Sequence, residues 1–127
     1  MKLNLDTTSG VNAITGHGQG FVAVNGGNIS SPVIVLADRI ICPWQIASPS
    51  TAELSPCIGD FAELLALKPE LVVFGSGAIF RFPDRRIMAV FSQARIGFEV
   101  MDTPAACRTY NVLVSEGRRV AAALLIG

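Results

Sequence analysis

The chain is short of the residues from which reactive centres are built. It has one histidine and three cysteines in 127 residues. Cys42, Cys57 and Cys107 share no Cys-x-x-Cys spacing, so with His17 they supply no zinc-type ligand set, and no metal site is expected. No Ser-His-Asp order and no Walker loop occurs, and no cofactor is implied. Charge is scarce: 16% of residues, ten basic against ten acidic. A neutral chain lacks the field that neutralises phosphates, which argues against a nucleic-acid partner. Long apolar runs are missing too. Val120 to Ile126 falls far below the roughly 20 residues of a membrane-spanning helix. The opening Met1-Lys2-Leu3-Asn4-Leu5-Asp6 does not read as a signal peptide. An odd number of scattered cysteines fits a reducing compartment, so a cytoplasmic location is expected.

What the chain does have is apolar bulk, at 50% of residues. Its length sets one domain, 1–127, with enough chain to bury a core. The apolar excess suits an α/β core with apolar surface to spare, leaving a homodimer open.

The order of patterns places the elements. A polar, glycine-rich start ends in Gly16-His17-Gly18-Gln19-Gly20. Phe21 to Val24 then meets Asn25-Gly26 before a second β-prone run, Ile29 to Leu36, which is a hairpin signal. Pro32 in that run suits an edge or bulge, and Ile40-Ile41-Cys42 follows, so the N-terminal third reads as an antiparallel β layer. Ser55-Pro56 marks a helix start, with Ile58, Phe61, Ala62, Leu65 and Leu67 at near-helical spacing and Lys68-Pro69 as the stop. Leu71-Val72-Val73-Phe74 is an unbroken apolar run of the kind a strand buried on both faces requires. A helix is expected from about Asp84 to Arg95, carrying the stripe Ile87, Val90, Phe91 and Ala94. Gly97 to Met101 reads as a strand. Thr103-Pro104 opens a helix to about Glu116, with Ala106, Tyr110, Leu113 and Val114 facing inward. Val120 to Ile126 closes the chain as a strand. Strands alternating with helices imply a layered α/β sheet.

The chemistry concentrates where the first of those buried strands ends, at Gly75-Ser76-Gly77. A dinucleotide-binding loop needs a third glycine and an immediate helix. Phe80 stands at the glycine position and Pro83 delays the helix, although Asp102 lies where a ribose-binding acid belongs. A tight turn with an acid capping the next helix accounts for the same residues. The turn remains a candidate site for a small anion, with Gly75, Ser76, Gly77, Arg81, Asp102, Arg108 and Asn111 as contacts. Arginine forks suit carboxylates and phosphates, and Arg81, Arg85, Arg86 and Arg108 have room to converge at that sheet edge. The connection after the turn is oddly apolar, and Ile79, Phe80 and Phe82 are candidates for a partner surface; a lid packed on the sheet edge is the competing reading. Cys107, in the first turns of its helix, is either a thiol activated by the dipole or a small buried side chain, and nothing ties it to His17.

Gly75-Ser76-Gly77, Val100-Met101-Asp102-Thr103-Pro104-Ala105-Ala106-Cys107-Arg108-Thr109-Tyr110-Asn111 and Glu116-Gly117-Arg118-Arg119-Val120-Ala121-Ala122-Ala123-Leu124 together resemble the domain of unknown function 498/598 family. Its eukaryotic relatives include a mitochondrial respiratory complex I assembly factor. The family usually reads Gly-Thr-Gly at the turn, and Ser76 keeps the hydroxyl. The resemblance implies a three-layer β+α/β/α fold with a mixed central sheet that has the last strand inside it, beside the N-terminal antiparallel β layer. It implies no catalytic residues. A non-enzymatic interaction or assembly protein is the first expectation, with a protein partner, and binding or conversion of a small anionic ligand at the glycine turn is the second.

Overall fold

The computed structural model describes residues 10–45 and 58–126. Three short strands open the chain: β1 (Ile14–Gly18), β2 (Phe21–Val24) and β3 (Gly27–Ile29). They form an antiparallel sheet in that order. Asn25 and Gly26, both at positive φ, make the two-residue turn between β2 and β3.

The run Ile29 to Leu36 does not continue as one strand. It breaks at Ser30 to Pro32, where proline has no N–H for a ladder, and β4 (Val33–Leu36) enters a different sheet. β5 (Arg39–Ile41) pairs with it, so the antiparallel layer expected of the N-terminal third is divided between two sheets. Ser55-Pro56 lies outside the described residues. A 3₁₀ turn (Ile58–Phe61) leads into α1 (Ala62–Leu67), which ends at left-handed Lys68.

From there the strand–helix alternation holds: β6 (Leu71–Gly75), α2 (Arg85–Gln93), β7 (Gly97–Met101), α3 (Thr103–Ser115) and β8 (Val120–Leu124). The five-stranded sheet runs β5-β4-β8-β6-β7. β8 is its middle strand, antiparallel to β4 and parallel to β6. All five residues of β8 are buried, as a strand covered on both faces requires.

The two faces of that sheet carry separate cores. One holds Val33, Val35, Val73, Ala122 and Leu124 against Ile14, Val22 and Val24 of the small sheet and Ala106, Tyr110 and Val114 of α3. The other packs Ile34, Val72, Phe74, Ala121 and Ala123 against Phe61, Leu64, Ile87 and Phe91. Phe61 is the centre of an aromatic cluster, with ring centroids 5.3 Å from Trp44, 6.0 Å from Phe74, 5.7 Å from Phe91 and 5.8 Å from Phe98. The architecture is three layers: small sheet with α3, central mixed sheet, then α1 and α2. Among the described residues no helix is long and apolar enough to cross a membrane.

Candidate functional site

The turn after β6 is a structural knot between the central sheet and α3. Gly75, Ser76 and Gly77 are all buried. A Cβ on Gly75 would stand 2.8 Å from Thr103 Oγ1 and 3.0 Å from Thr103 Cα and Leu124 Cδ2, so only glycine lets the start of α3 come this close. Gly77 sits at φ +104°, a backbone state other residues rarely adopt. Thr103 binds it twice: its backbone N–H donates to the Gly77 carbonyl at 2.8 Å, and its hydroxyl accepts from the Gly77 N–H at 2.9 Å. That hydroxyl donates onward to the Leu125 carbonyl at 2.8 Å. The Ser76 N–H is taken by the Met101 carbonyl at 2.9 Å. The amides of Ser76 and Gly77 therefore point into the fold.

The other anion contacts expected from sequence are placed as follows. The Asp102 carboxylate accepts from the Ala105 N–H at 2.9 Å and caps α3. The Asn111 amide accepts from the Ile14 N–H at 2.9 Å and donates to the Ile14 carbonyl at 2.7 Å, mimicking a strand neighbour for β1. The arginines are divided between the two faces of the sheet. Arg85 and Arg86 open α2, whose buried residues join one core, and exposed Arg108 lies on α3, which packs in the other. Arg86 is bound to Asp84, its Nη2 donating to Oδ2 at 2.6 Å, which holds the Asp84 carboxyl down at about 2. Burial pushes the Cys107 thiol up to about 11 and outweighs the charge of Arg108, so Cys107 is the buried side chain rather than the activated thiol.

A cleft of about 290 Å³ does open beside the turn, from different residues. Gly77, Ala78, Thr103, Pro104 and Ile126 form one side, and the β1–β2 turn from His17 to Phe21 forms the other. The two glycine-rich stretches of the sequence thus meet across one cleft, a pairing that nothing in either stretch announced. Arg81, Asp102, Arg108 and Asn111 do not line it. Thr103 was also missed as a binding element of the turn, although a hydroxyl residue just after a helix-capping acid was visible in the sequence. Among the described residues no cluster of three or more His, Cys, Asp or Glu is placed to hold a metal.

The partner-surface candidates stand out from everything around them. Ile79 is 63% exposed, Phe80 48% and Phe82 64%. The two phenyl rings pack edge to face, with centroids 4.9 Å apart. The loop that carries them is pinned by Ser76, whose hydroxyl donates to the Ile79 carbonyl at 2.8 Å and accepts from the Arg81 N–H at 3.0 Å. A lid would have put these side chains on the sheet edge. They face solvent instead.

The model of the family described as "Protein of unknown function (DUF498/DUF598)" matches residues 14–125. A Xenopus tropicalis protein named NADH dehydrogenase (ubiquinone) 1 alpha subcomplex assembly factor 3 is 32% identical over 124 residues, which is 98% of this chain and 66% of that protein, just under two thirds of its length. Among solved structures, a Xanthomonas campestris protein is 34% identical with a TM-score of 0.78, over all of this chain and 93% of that one. A Bordetella parapertussis crystal structure is 29% identical with a TM-score of 0.79, over 93% of this chain and 98% of that one.

Proposed function

The chain belongs to the DUF498/DUF598 family of proteins of unknown function, and from that membership we propose a non-enzymatic protein that assists assembly of a larger complex by docking through its Ile79–Phe82 loop. The observation that carries the reading is the exposure of Ile79, Phe80 and Phe82 on backbone already fixed by the Ser76 hydroxyl. A pre-ordered apolar surface gives up little conformational entropy on docking, so more of its burial is realised as affinity. Relatives named as assembly factors for NADH dehydrogenase support this and nominate the first client to test. Deleting the gene in the native host and resolving respiratory NADH dehydrogenase on native gels should show loss of the full complex with its subunits still made. The wild-type gene should restore it, and a Phe80→Ser/Phe82→Ser version should not. Normal assembly in the deletion strain would defeat the proposal for this client.

The cleft beside the glycine turn supports a second reading, capture of a small ligand. Its walls are largely apolar, and His17 and Gln19 supply polar side chains. Thermal-shift screening against nucleotides and acidic metabolites tests it, with Ala78→Leu, which narrows the cleft, as the control. A transition that no compound moves removes this reading.

A further inference from the structure

Resting on the ligand-capture reading of the cleft, we infer that the cleft receives an uncharged small-molecule carboxamide, linear or cyclic, on the backbone edge of His17. Strand register decides which backbone groups face it. The two-residue turn Asn25-Gly26 makes Val24 and Gly27 the hydrogen-bonded closing pair of the β2–β3 hairpin. Direction then alternates along β2, so Val22 and Val24 face β3 while Phe21 and Ala23 face β1. His17 lies opposite Val22, and Ile14 opposite Val24. The N–H and carbonyl of both residues therefore turn away from β2, on the free side of an outer strand.

At Ile14 that outward pair is already taken, and a carboxamide takes it. The Asn111 side chain accepts from the Ile14 N–H at 2.9 Å and donates to the Ile14 carbonyl at 2.7 Å. α3 follows β1 along this edge, with Asn111 beside Ile14 and with Thr103 and Pro104 across the cleft from His17. There the helix stands off by a space of about 290 Å³, and the His17 pair opens into it. A ligand carboxamide can make at His17 the same exchange of two hydrogen bonds that Asn111 makes at Ile14.

The surroundings narrow the occupant further. One outward residue, between the Asn111 clamp and the turn after Gly18, is too short an edge for an added peptide strand. Among the described residues no Lys, Arg, Asp or Glu lines the cleft, so a charged ligand would lose its hydration without a countercharge. A carboxylate fails on a second count, because it has no proton for the His17 carbonyl. Gly77, Ala78, Pro104 and Ile126 oppose the strand with an apolar wall, which suits a ring or a short branched hydrocarbon attached to the amide.

The test is titration of the full chain with benzamide, benzoate and N,N-dimethylbenzamide, followed by thermal shift and by amide NMR. Benzamide should raise the transition and move the amide resonances of His17 and Gly77. Benzoate and the dimethyl amide, neither of which can donate, should each bind more weakly by about ten-fold or more. His17→Pro removes the N–H at an edge that pairs with no strand and should abolish binding, whereas His17→Ala should keep it. Equal binding of benzamide and benzoate overturns the inference without recourse to any variant. Binding that survives in a folded His17→Pro chain overturns it too, and loss in His17→Ala would move the contact to the imidazole with the same result. A capped Ala-Gln-Ala peptide that outbinds benzamide would overturn the small-molecule source in favour of a protein side chain. Should nucleotides or acids move the transition while carboxamides do not, capture stands and the carboxamide falls. Should no compound of either kind move it, capture itself fails.

Discussion

Ser76, Thr103 and Asn111 show how single side chains in this fold serve backbone rather than ligand. Each was conspicuous in the sequence as a hydroxyl or amide near a glycine turn or on a helix face. The partners of Ser76 lie three and five positions along the chain, whereas those of Thr103 and Asn111 were not legible, because their contacts span 22 to 97 positions and depend on which layers meet. Ser76 gives a direct test of the loop. Ser76→Ala removes both bonds that fix Ile79 and Arg81 and should cost about 1 kcal/mol in urea unfolding. It should also broaden or shift the amide resonances of residues 79–82, whereas Ser76→Thr keeps the hydroxyl and should leave them in place. Gly75→Ala should be worse, by about 1–3 kcal/mol, because the added methyl meets Thr103 and Leu124 with no room to turn away. Unchanged stability in Gly75→Ala would mean the helix start is free to move. Cys107 yields a chemical prediction: at pH 8 iodoacetamide should label exposed Cys42 and spare Cys107 in the folded chain, and label both in denaturant. Peptide mass spectrometry reads the sites.

Elements whose signals are local were readable, and those whose placement is non-local were not. The stretches around β6, β7 and α3 were bounded by apolar runs, a proline and a capping acid, and the structure sets them within a residue or two of where those signals fall. The split of Ile29 to Leu36 into strands of different sheets was not readable, since both halves carry the same β-prone residues and only their neighbours differ. The unbroken apolar run Leu71 to Phe74 marks β6 as a strand buried on both faces but does not give its place in the sheet. The sheet order gives the middle to β8, whose three alanines are fully buried between the two cores. The small sheet is held to α3 by the Asn111 clamp on Ile14 and by the Tyr110 hydroxyl, which donates to the Asn12 carbonyl at 2.8 Å. Asn111→Ala strands the Ile14 N–H and carbonyl and should cost about 1–3 kcal/mol. Hydrogen exchange should then quicken in β1 and β2 before the central sheet responds. Equal acceleration in both sheets would show that they open together without the clamp's help.

At the scale of the molecule, stability rests on two apolar cores and very little on charge. The Arg39–Asp38, Arg86–Asp84 and Arg118–Glu70 ion pairs, the last at 2.7 Å, lie at the surface, and pairs of that kind contribute little and are screened by salt. The pH dependence should follow this division. Glu70 and Asp84 have carboxyls held below their ordinary values, first by side-chain bonds from Arg118 and Arg86. Their contribution is present above about pH 4 and fades only as pH falls through the lowered values. The alkaline side is different. Burial raises both Cys107, from 9.0 to about 11, and Tyr110, from 10.0. Above pH 9 the unfolded chain releases protons that the folded chain still holds, so unfolding becomes easier as pH rises, by at most roughly 1.4 kcal/mol per pH unit for each proton. The stabilising effect of the protonated groups is thus complete below pH 9 and lost as pH climbs through their folded values. Urea unfolding between pH 7 and 11 should be flat to pH 9 and then decline. Cys107→Ala should start lower, from lost packing, but decline less steeply between pH 9 and 11, because one of the two linked protons is gone. A variant curve parallel to wild type across that window would mean that Cys107 ionises as readily folded as unfolded, and that its burial does not exclude water.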